Sequence, residues 1–439
     1  MRLKTAIAAL LLILVSAGPA RAQLRIDITG ARTAPMPIAI PSFAGGTAEE
    51  ARIGREITMV IRNNLANSGL FRNLDEAAFI QSMRNVDVRP NFNDWKAIAA
   101  QALAHGEVTQ DPATNGLRVS YRLWDVFAET NLDSKAMTGG ADAWRNIAHI
   151  ISDRIYERIT GETGYFNTRI VYIAETGPAT RLVKRLAIMD QDGANQKMLT
   201  DGSYLVLTPR FSPNMQQVIY LSYINNNPRV FLLDLATGNQ QALGNFPGMT
   251  FAPRFSHDGR RVVFSMERNG NTNIYDMDIA SREVRRITNR PGIDTSPSFS
   301  PDGRQIVFNS DRSGRQQLYV MNSDGGNVRR ISWGEGRYAT PVWSPRGDYI
   351  AFTKMLRGQF YIGIMHPDGS GERLISRGFF VEAPSWSPNG RLVIFYKKDR
   401  MQGMHQRTRL YTVDITGYNE REIPTTTNAS DPAWSPLLQ

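Results

Sequence analysis

The sequence predicts a small α/β domain followed by an all-β six-bladed β-propeller, its ring closed by a C-terminal strand that enters the first blade. Three observations carry this expectation. A segment written Pro-x-aromatic-Ser recurs six times, starting at Pro209, Pro253, Pro297, Pro341, Pro384 and Pro432. The intervals are 44, 44, 44, 43 and 48 residues, a period that belongs to propellers and solenoids. The last copy, PAWSPLLQ, stands alone at the end of the chain, with no unit after it.

The elements follow in order. MRLKTAIAALLLILVSAGPARAQ has a basic start, an apolar run from Ala6 to Val15 and a small-x-small site at Ala20–Ala22, so residues 1–22 read as a secretory signal peptide. The apolar run is too short for a membrane anchor. Residues 23–36 form an N-terminal arm in which Leu24, Ile26 and Ile28 alternate with polar residues, closed by Gly30, Pro35 and Pro37. Two readings of the arm stay open: an ordinary strand of the first domain, or a mobile segment that docks on another protein by strand addition.

Residues 37–160 are expected to form the α/β domain. Thr47-Ala48-Glu49-Glu50 is a capping box, followed by Ile53, Ile57, Val60, Ile61 and Leu65 at helical spacing and by Gly69 as a stop. A second helix is expected over Asn93–Ala104 and a third over Ala141–Thr160, the latter with Trp144, Ile147, Ile151, Ile155 and Ile159 on one stripe. Pro37–Phe43, Ala104–Thr109 and Leu117–Phe127 read as strands. Gly161–Thr168 is the expected linker, and 169–439 the propeller.

Each propeller unit holds short β-branched and aromatic runs separated by Asp-Gly, Asn-Gly or Thr-Gly turns, with nothing of helical period. The Pro-x-aromatic-Ser segment is strand A, and two nearly continuous apolar runs are B and C, as expected of sheets covered on both faces. A short run before the next motif is D. From Arg169 the order is B-C-D, then A-B-C-D five times, then a lone A. A linear solenoid needs capped ends, whereas a ring needs its last strand in its first blade. The motif proline suits an innermost edge strand, where a missing N–H is tolerated. Phe211, Phe255, Phe299, Trp343, Trp386 and Trp434 are expected to pack between blades.

In such a ring the A–B and C–D turns share one face and the B–C and D–A connections the other. The first face is stereotyped (SPDG, SPNG), while the second varies in length and is rich in Arg, Lys and Asn. Variable loops on one face more often recognise something. The D–A connections Phe246–Ala252, Arg290–Ser296, Trp333–Thr340 and Arg377–Ala383 bring arginines and the aromatics Phe251, Tyr338, Phe379 and Phe380 to one opening, a protein-binding composition if these rings are exposed. The alternative is that several of them plug the channel.

Other chemistry is constrained by what the chain lacks. With the signal peptide removed, three positive charges go and no negative one, so the formal charge falls from +10 to +7. That charge is dispersed, which argues against a nucleic-acid surface. There is no cysteine, so disulfides and thiol catalysis are excluded. No Gly-x-Ser-x-Gly elbow occurs. The five histidines share no metal-ligand spacing, and Asp190-x-Asp192-Gly193 lacks the remaining acids of a calcium loop. His257 replaces the motif proline of one A–B turn. The alternative to a binding protein is an exported propeller enzyme or sugar-binding protein with a ligand in the central channel; strand A, read from its motif, offers mostly Pro, Ser and aromatic residues there.

An export signal, a small α/β domain and six Pro-x-Trp/Phe-Ser-Pro-Asp-Gly blades ending on an orphan PAWSP strand resemble the TolB family of the bacterial Tol-Pal envelope system. The resemblance covers the whole mature chain. It implies periplasmic location, no enzymatic activity, no cofactor and a monomer. It implies binding of the lipoprotein Pal, and of colicins, at the propeller mouth and of TolA through the N-terminal arm, with further Tol and outer-membrane proteins as partners. The implied role is outer-membrane integrity and constriction at cell division. The expected mouth residues are Met249, Thr250, Phe251, Ala252, Asp294, Thr295, Arg337, Tyr338, Phe380 and Glu382, and those of the arm Leu24, Ile26 and Ile28. Met249 stands where some relatives carry histidine, which makes that contact apolar.

Overall fold

The structure, a computed structural model, describes residues 24–26, 34–111, 114, 116–224, 228–244, 246–400 and 406–438. The expected signal peptide, with Gln23 and Ile28, lies outside the described residues. The chain divides into two units, Met1–Thr163 and Gly164–Gln439.

The first unit is built on one mixed sheet of β1 (Met36–Ala39), β2 (Ala44–Gly45), β3 (Phe71–Asn73), β4 (Ala102–Gln110), β5 (Leu117–Asp125) and β6 (Thr130–Gly139), in the order β3-β1-β4-β5-β6 with β2 also on β4. Helix α1 (Ala48–Asn67) starts where the capping box predicts. Thr47 Oγ1 accepts the Glu50 N–H at 3.2 Å, and Glu50 Oε2 accepts the Thr47 N–H at 2.8 Å. Its apolar stripe is buried, and Asn64 donates from the same face to Ser152 Oγ at 2.9 Å on α3 (Trp144–Thr160). The stop after α3 is Gly161, at φ 77°, a conformation that costs glycine nothing.

The structure departs from the sequence expectations at several elements. The second helix, α2, covers only Phe92–Ala97, not Asn93–Ala104, because Ala102–Ala104 is buried backbone of the central strand β4, paired with Asp125–Leu123 of β5. The long strand β6 escaped notice because TNLDSKAMTG has no apolar alternation: it is an outer strand, and Leu132 is its one buried apolar residue. The three-residue β3 was also missed. In the arm, Ile26 is buried and its N–H is held by Ile159 O at 3.0 Å, so Leu24–Ile26 sits on the first unit without strand pairing.

The second unit contains six four-stranded antiparallel sheets. Asn428–Trp434 pairs with Arg169–Thr176, the strand that begins the propeller, and completes the blade of Val183–Asp190 and Lys197–Met198. Every A strand also lies against the A strands of both neighbouring blades, so the six form the innermost ring. Blades join through apolar cores: Trp343 packs with Val307, Leu318 and Val320 of one blade and Ile350 and Phe352 of the next. The SPDG turn has a local cause. Ser300 Oγ donates to Asp302 Oδ1 at 2.6 Å and accepts the Gln305 N–H at 2.9 Å, and Ser256–Asp258 and Ser387–Asn389 repeat the arrangement.

The A strands begin earlier than the motif suggests, at Val206, Thr250, Asp294, Arg337, Phe380 and Asn428. The last residues of the expected D–A loops are therefore strand. In all six, the ladder slips by one residue beside the proline, and the residue before it is left-handed: Thr208, Ala252, Ser296, Thr340, Ala383 and Asp431, at φ between 46° and 57°. A bulge leaves one residue unpaired, and proline has no N–H to leave unsatisfied there.

Deleting Asp431–Gln439 removes half of the closing strand and should lower the melting temperature of the whole ring in one cooperative step, followed by circular dichroism; an unaltered curve would contradict the closure. Thr47→Ala should cost about 1 kcal/mol of the first unit's stability, read as an earlier denaturant midpoint for Trp95 and Trp124 fluorescence.

Candidate docking rim of the propeller channel

Counting back from each motif proline places the expected mouth residues on four levels. The first level, four residues before the proline, is the rim: Leu205, Met249, Ile293, Arg337, Phe380 and Asn428. Leu205, Met249 and Ile293 are 41%, 41% and 42% exposed, and Arg337 is also exposed. Their placement is fixed by the backbone: the carbonyls of Leu205, Met249 and Ile293 accept N–H groups of Tyr223, Glu267 and Asp311 at 3.0, 2.9 and 3.3 Å. The second level turns into the blade and is closed to solvent: Val206, Thr250, Asp294, Tyr338, Val381 and Ala429 are all buried. The third level, with Phe251, Thr295 and Glu382, is half-buried, and the fourth is the left-handed residue, including Ala252.

Several expected site residues thus take part in holding the wall together. Tyr338, expected as an exposed aromatic, is fully buried. Its hydroxyl donates to Glu372 Oε2 at 2.8 Å and accepts Lys354 Nζ at 2.7 Å, and Lys354 also pairs with Glu372 at 2.6 Å. Burial and then Glu372 push the phenol pKa up. Asp294 is buried in an ion pair with Arg312 at 2.9 Å, whose guanidinium lies 5.0 and 4.9 Å from the Phe308 and Tyr319 ring centres. Thr250 is buried. Thr295 Oγ1 accepts from Ser265 Oγ, 3.2 Å away in the preceding blade. Phe251 and Phe380 are half-buried rather than exposed, and the Phe380 ring is tilted against Phe360 at 4.7 Å and Tyr396 at 5.9 Å.

The wall carries more charge than the motif alone suggests. Glu382 accepts the Tyr396 hydroxyl at 3.1 Å, and burial, then the nearby Asp431, raises its pKa. Asp431 is itself raised, by burial first. Glu175 is buried, paired with Lys184 at 3.0 Å and bonded by Ser430 Oγ at 2.7 Å. With Glu382 and Asp431 before the motif proline and Arg210 and Arg254 after it, strand A is thus not confined to Pro, Ser and aromatic residues.

Sequence reasoning missed the exposed Leu205, Ile293 and Trp333 at this end, while Phe379 is exposed as expected. Leu205 and Ile293 share the rim level with Met249; the 44-residue period, carried back to that position, would have found both. Phe379 is 45% exposed beneath Arg400, and Trp333 is 71% exposed with Arg330 4.6 Å from its ring centre. In the first unit, Leu24 and Arg25 border a hollow of about 680 Å³ together with Asp133, Arg154, Glu157 and Arg158. The Arg154–Asp133 pair at 2.7 Å holds one side of it.

Comparison with known proteins bears on these surfaces. Residues 24–132 match the family described as TolB amino-terminal domain, and residues 156–438 match the TolB beta propeller domain. The Tol-Pal system protein TolB of Paramagnetospirillum magneticum is 61% identical over 422 residues, 96% of this chain and 94% of that protein. The Tol-Pal system protein TolB of Pelagibacter ubique is 59% identical over 428 residues, 95% of this chain and 96% of that one. The crystal structure of TolB from Acinetobacter baumannii superposes with a TM-score of 0.81 at 29% identity, over 94% of this chain and 100% of that one. The chain belongs to the TolB family of Tol-Pal system proteins.

Proposed function

We propose that the chain acts in the periplasm as a non-enzymatic, protein-binding scaffold of the Tol-Pal system. In this reading the propeller rim docks the lipoprotein Pal, and the N-terminal arm engages TolA. The two contacts serve outer-membrane integrity and envelope constriction at division. The observation that carries the reading is the row of exposed apolar side chains, Leu205, Met249 and Ile293, at one repeated level of the ring, with Trp333 and Phe379 beside it. Scattered exposed apolar residues need no explanation, but a patch on one face marks a binding surface. Fully burying a side chain of this size is worth roughly 1.5–3 kcal/mol, so covering several half-exposed ones drives specific docking.

The face carries further support. The buried Asp294–Arg312 pair, the partly buried Lys354–Glu372 pair and the packed Phe380 make its wall rigid, so little ordering is needed when a partner binds. Arg337, Arg330 and Arg400 border the apolar residues, as arginine does at binding hot spots. Membership of the Tol-Pal system favours Tol partners over a soluble substrate. The arm has its own surface, where Ile26 is buried and Leu24 half-buried, with the Ile26 N–H to Ile159 O as the one backbone hydrogen bond from the arm to α3 among its described residues, contacts that a partner could replace. No helix among the described residues is long and apolar enough to cross a membrane.

Ile293→Glu should weaken soluble Pal at least tenfold in a calorimetric titration, and Phe251→Glu with Thr295→Glu should abolish its capture. Arg304→Glu, on the opposite face, should change neither. Equal binding by all of these folded variants would contradict the rim assignment. Removing Gln23–Ala34 should abolish capture of TolA while leaving the ring's melting temperature unchanged; retained capture would contradict the role of the arm.

A further inference from the structure

The opposite end of the channel holds a second surface, unrelated to the rim. A cavity of about 380 Å³ lies among the A strands of all six blades, their five A–B turns and the C-terminal Ser435–Pro436. That volume falls in the range of small-molecule sites, roughly 300–1,000 Å³. Its wall is the ring Phe211, Phe255, Phe299, Trp343, Trp386 and Trp434. Its inner level is formed by the residue after each motif proline: Arg210, Arg254, Ser298, Val342, Ser385 and Ala433. Two neighbouring blades thus supply arginines, and the four others supply small or short residues that leave the space open. Ser298 and Ser385 are committed to the wall, accepting the Trp343 and Trp434 backbone N–H groups at 3.3 and 3.2 Å.

The charge of this cavity is one-sided. No acid lines it among the described residues, while His257 joins the two arginines at its outer turn. Arg210 Nη1 donates to its neighbour's carbonyl, Pro209 O, at 2.6 Å, but its Nε is buried without a partner. The Arg254 side chain makes no hydrogen bond or ion pair among the described residues. Asp431, further along the channel, attracts Arg210 without forming an ion pair with it. Two guanidiniums held together at a cavity with no carboxylate in its lining are costly, since each charge is desolvated and repels the other. Burial lowers Arg210 to about 10, and burial with the repulsion of Arg210 lowers Arg254 as well. A bound anion would offset both effects.

We infer that this cavity is an anion-binding site, in which Arg210 and Arg254 hold the carboxylate or phosphate of a small ligand whose flat apolar body packs against the phenylalanine and tryptophan ring. Guanidinium forks match the geometry of both oxyanions, and the aromatic wall offers stacking surface. The site is independent of Pal and TolA, so failure of either proposal leaves the other standing.

The test is a titration of the full mature chain with benzoate, phenyl phosphate, inorganic phosphate and benzyl alcohol, followed by calorimetry and by tryptophan fluorescence. Saturable one-to-one binding of benzoate or phenyl phosphate, with a fluorescence change from Trp343, Trp386 and Trp434, is the expected result. If inorganic phosphate binds as well as phenyl phosphate, the source is the free ion; if it binds at least tenfold more weakly, the source is an organic anion. Benzyl alcohol binding as tightly as benzoate would overturn the inference, as would no binding of any anion at millimolar concentration. Arg254→Met should weaken the anions at least tenfold and leave benzyl alcohol unchanged; equal anion binding by the folded variant would also overturn it.

Discussion

The constraint on which the propeller depends is the slip in each innermost strand. One left-handed residue before each motif proline takes the ladder out of register by a single position, six times round the ring. Sheet residues otherwise alternate strictly between faces. The slip lets one strand bury the residue three before the proline in the blade, as with Tyr338 and Thr250, and still aim the residue after the proline into the channel, as with Arg254. It is not free. None of the six left-handed residues is glycine, and such conformations cost of order 1–3 kcal/mol each. Threonine, at 208 and 340, is among the least suited. The surrounding blades hold these residues in place, and the proline removes the N–H that a bulge would leave unpaired.

The two ends of the channel are separated by that slip. Before it, side chains face the rim or lock the wall through pairs such as Asp294–Arg312. After it, they meet a cavity with aromatic walls and two arginines. Constant A–B turns, each fixed by a serine and an acid or amide, frame the cavity end. Varied loops and exposed apolar residues frame the rim. One strand therefore serves two surfaces of different chemistry, and substitutions on one side of the proline can alter one surface without the other.

Much of this was legible in the sequence. The repeat period, the orphan final strand and the Thr47 capping box all read directly, because each is a local pattern with one physical meaning. Other features were hidden for identifiable reasons. β6 carries no alternation, since its burial comes from pairing with β5 and not from its own apolar face. The end of α2 at Ala97 is set by the demand of the sheet for Ala102–Gln110, a tertiary effect. The burial of Tyr338 is not legible, because its place in a loop-like segment says nothing about the slip that turns it inward. Arg210 and Arg254 lay in plain sight inside the motif, as its variable second letter. Their meaning needed the ring, which brings six distant positions to one level.

The central claim is that partners dock on the varied face and not on the constant one. Hydrogen–deuterium exchange of the mature chain, alone and saturated with soluble Pal, tests it most directly. The account predicts slowed exchange in the segments around Leu205, Met249, Ile293, Trp333 and Phe379, with the turns at Ser256, Ser300 and Ser387 unchanged. Protection at those turns, with the rim unaltered, would contradict it.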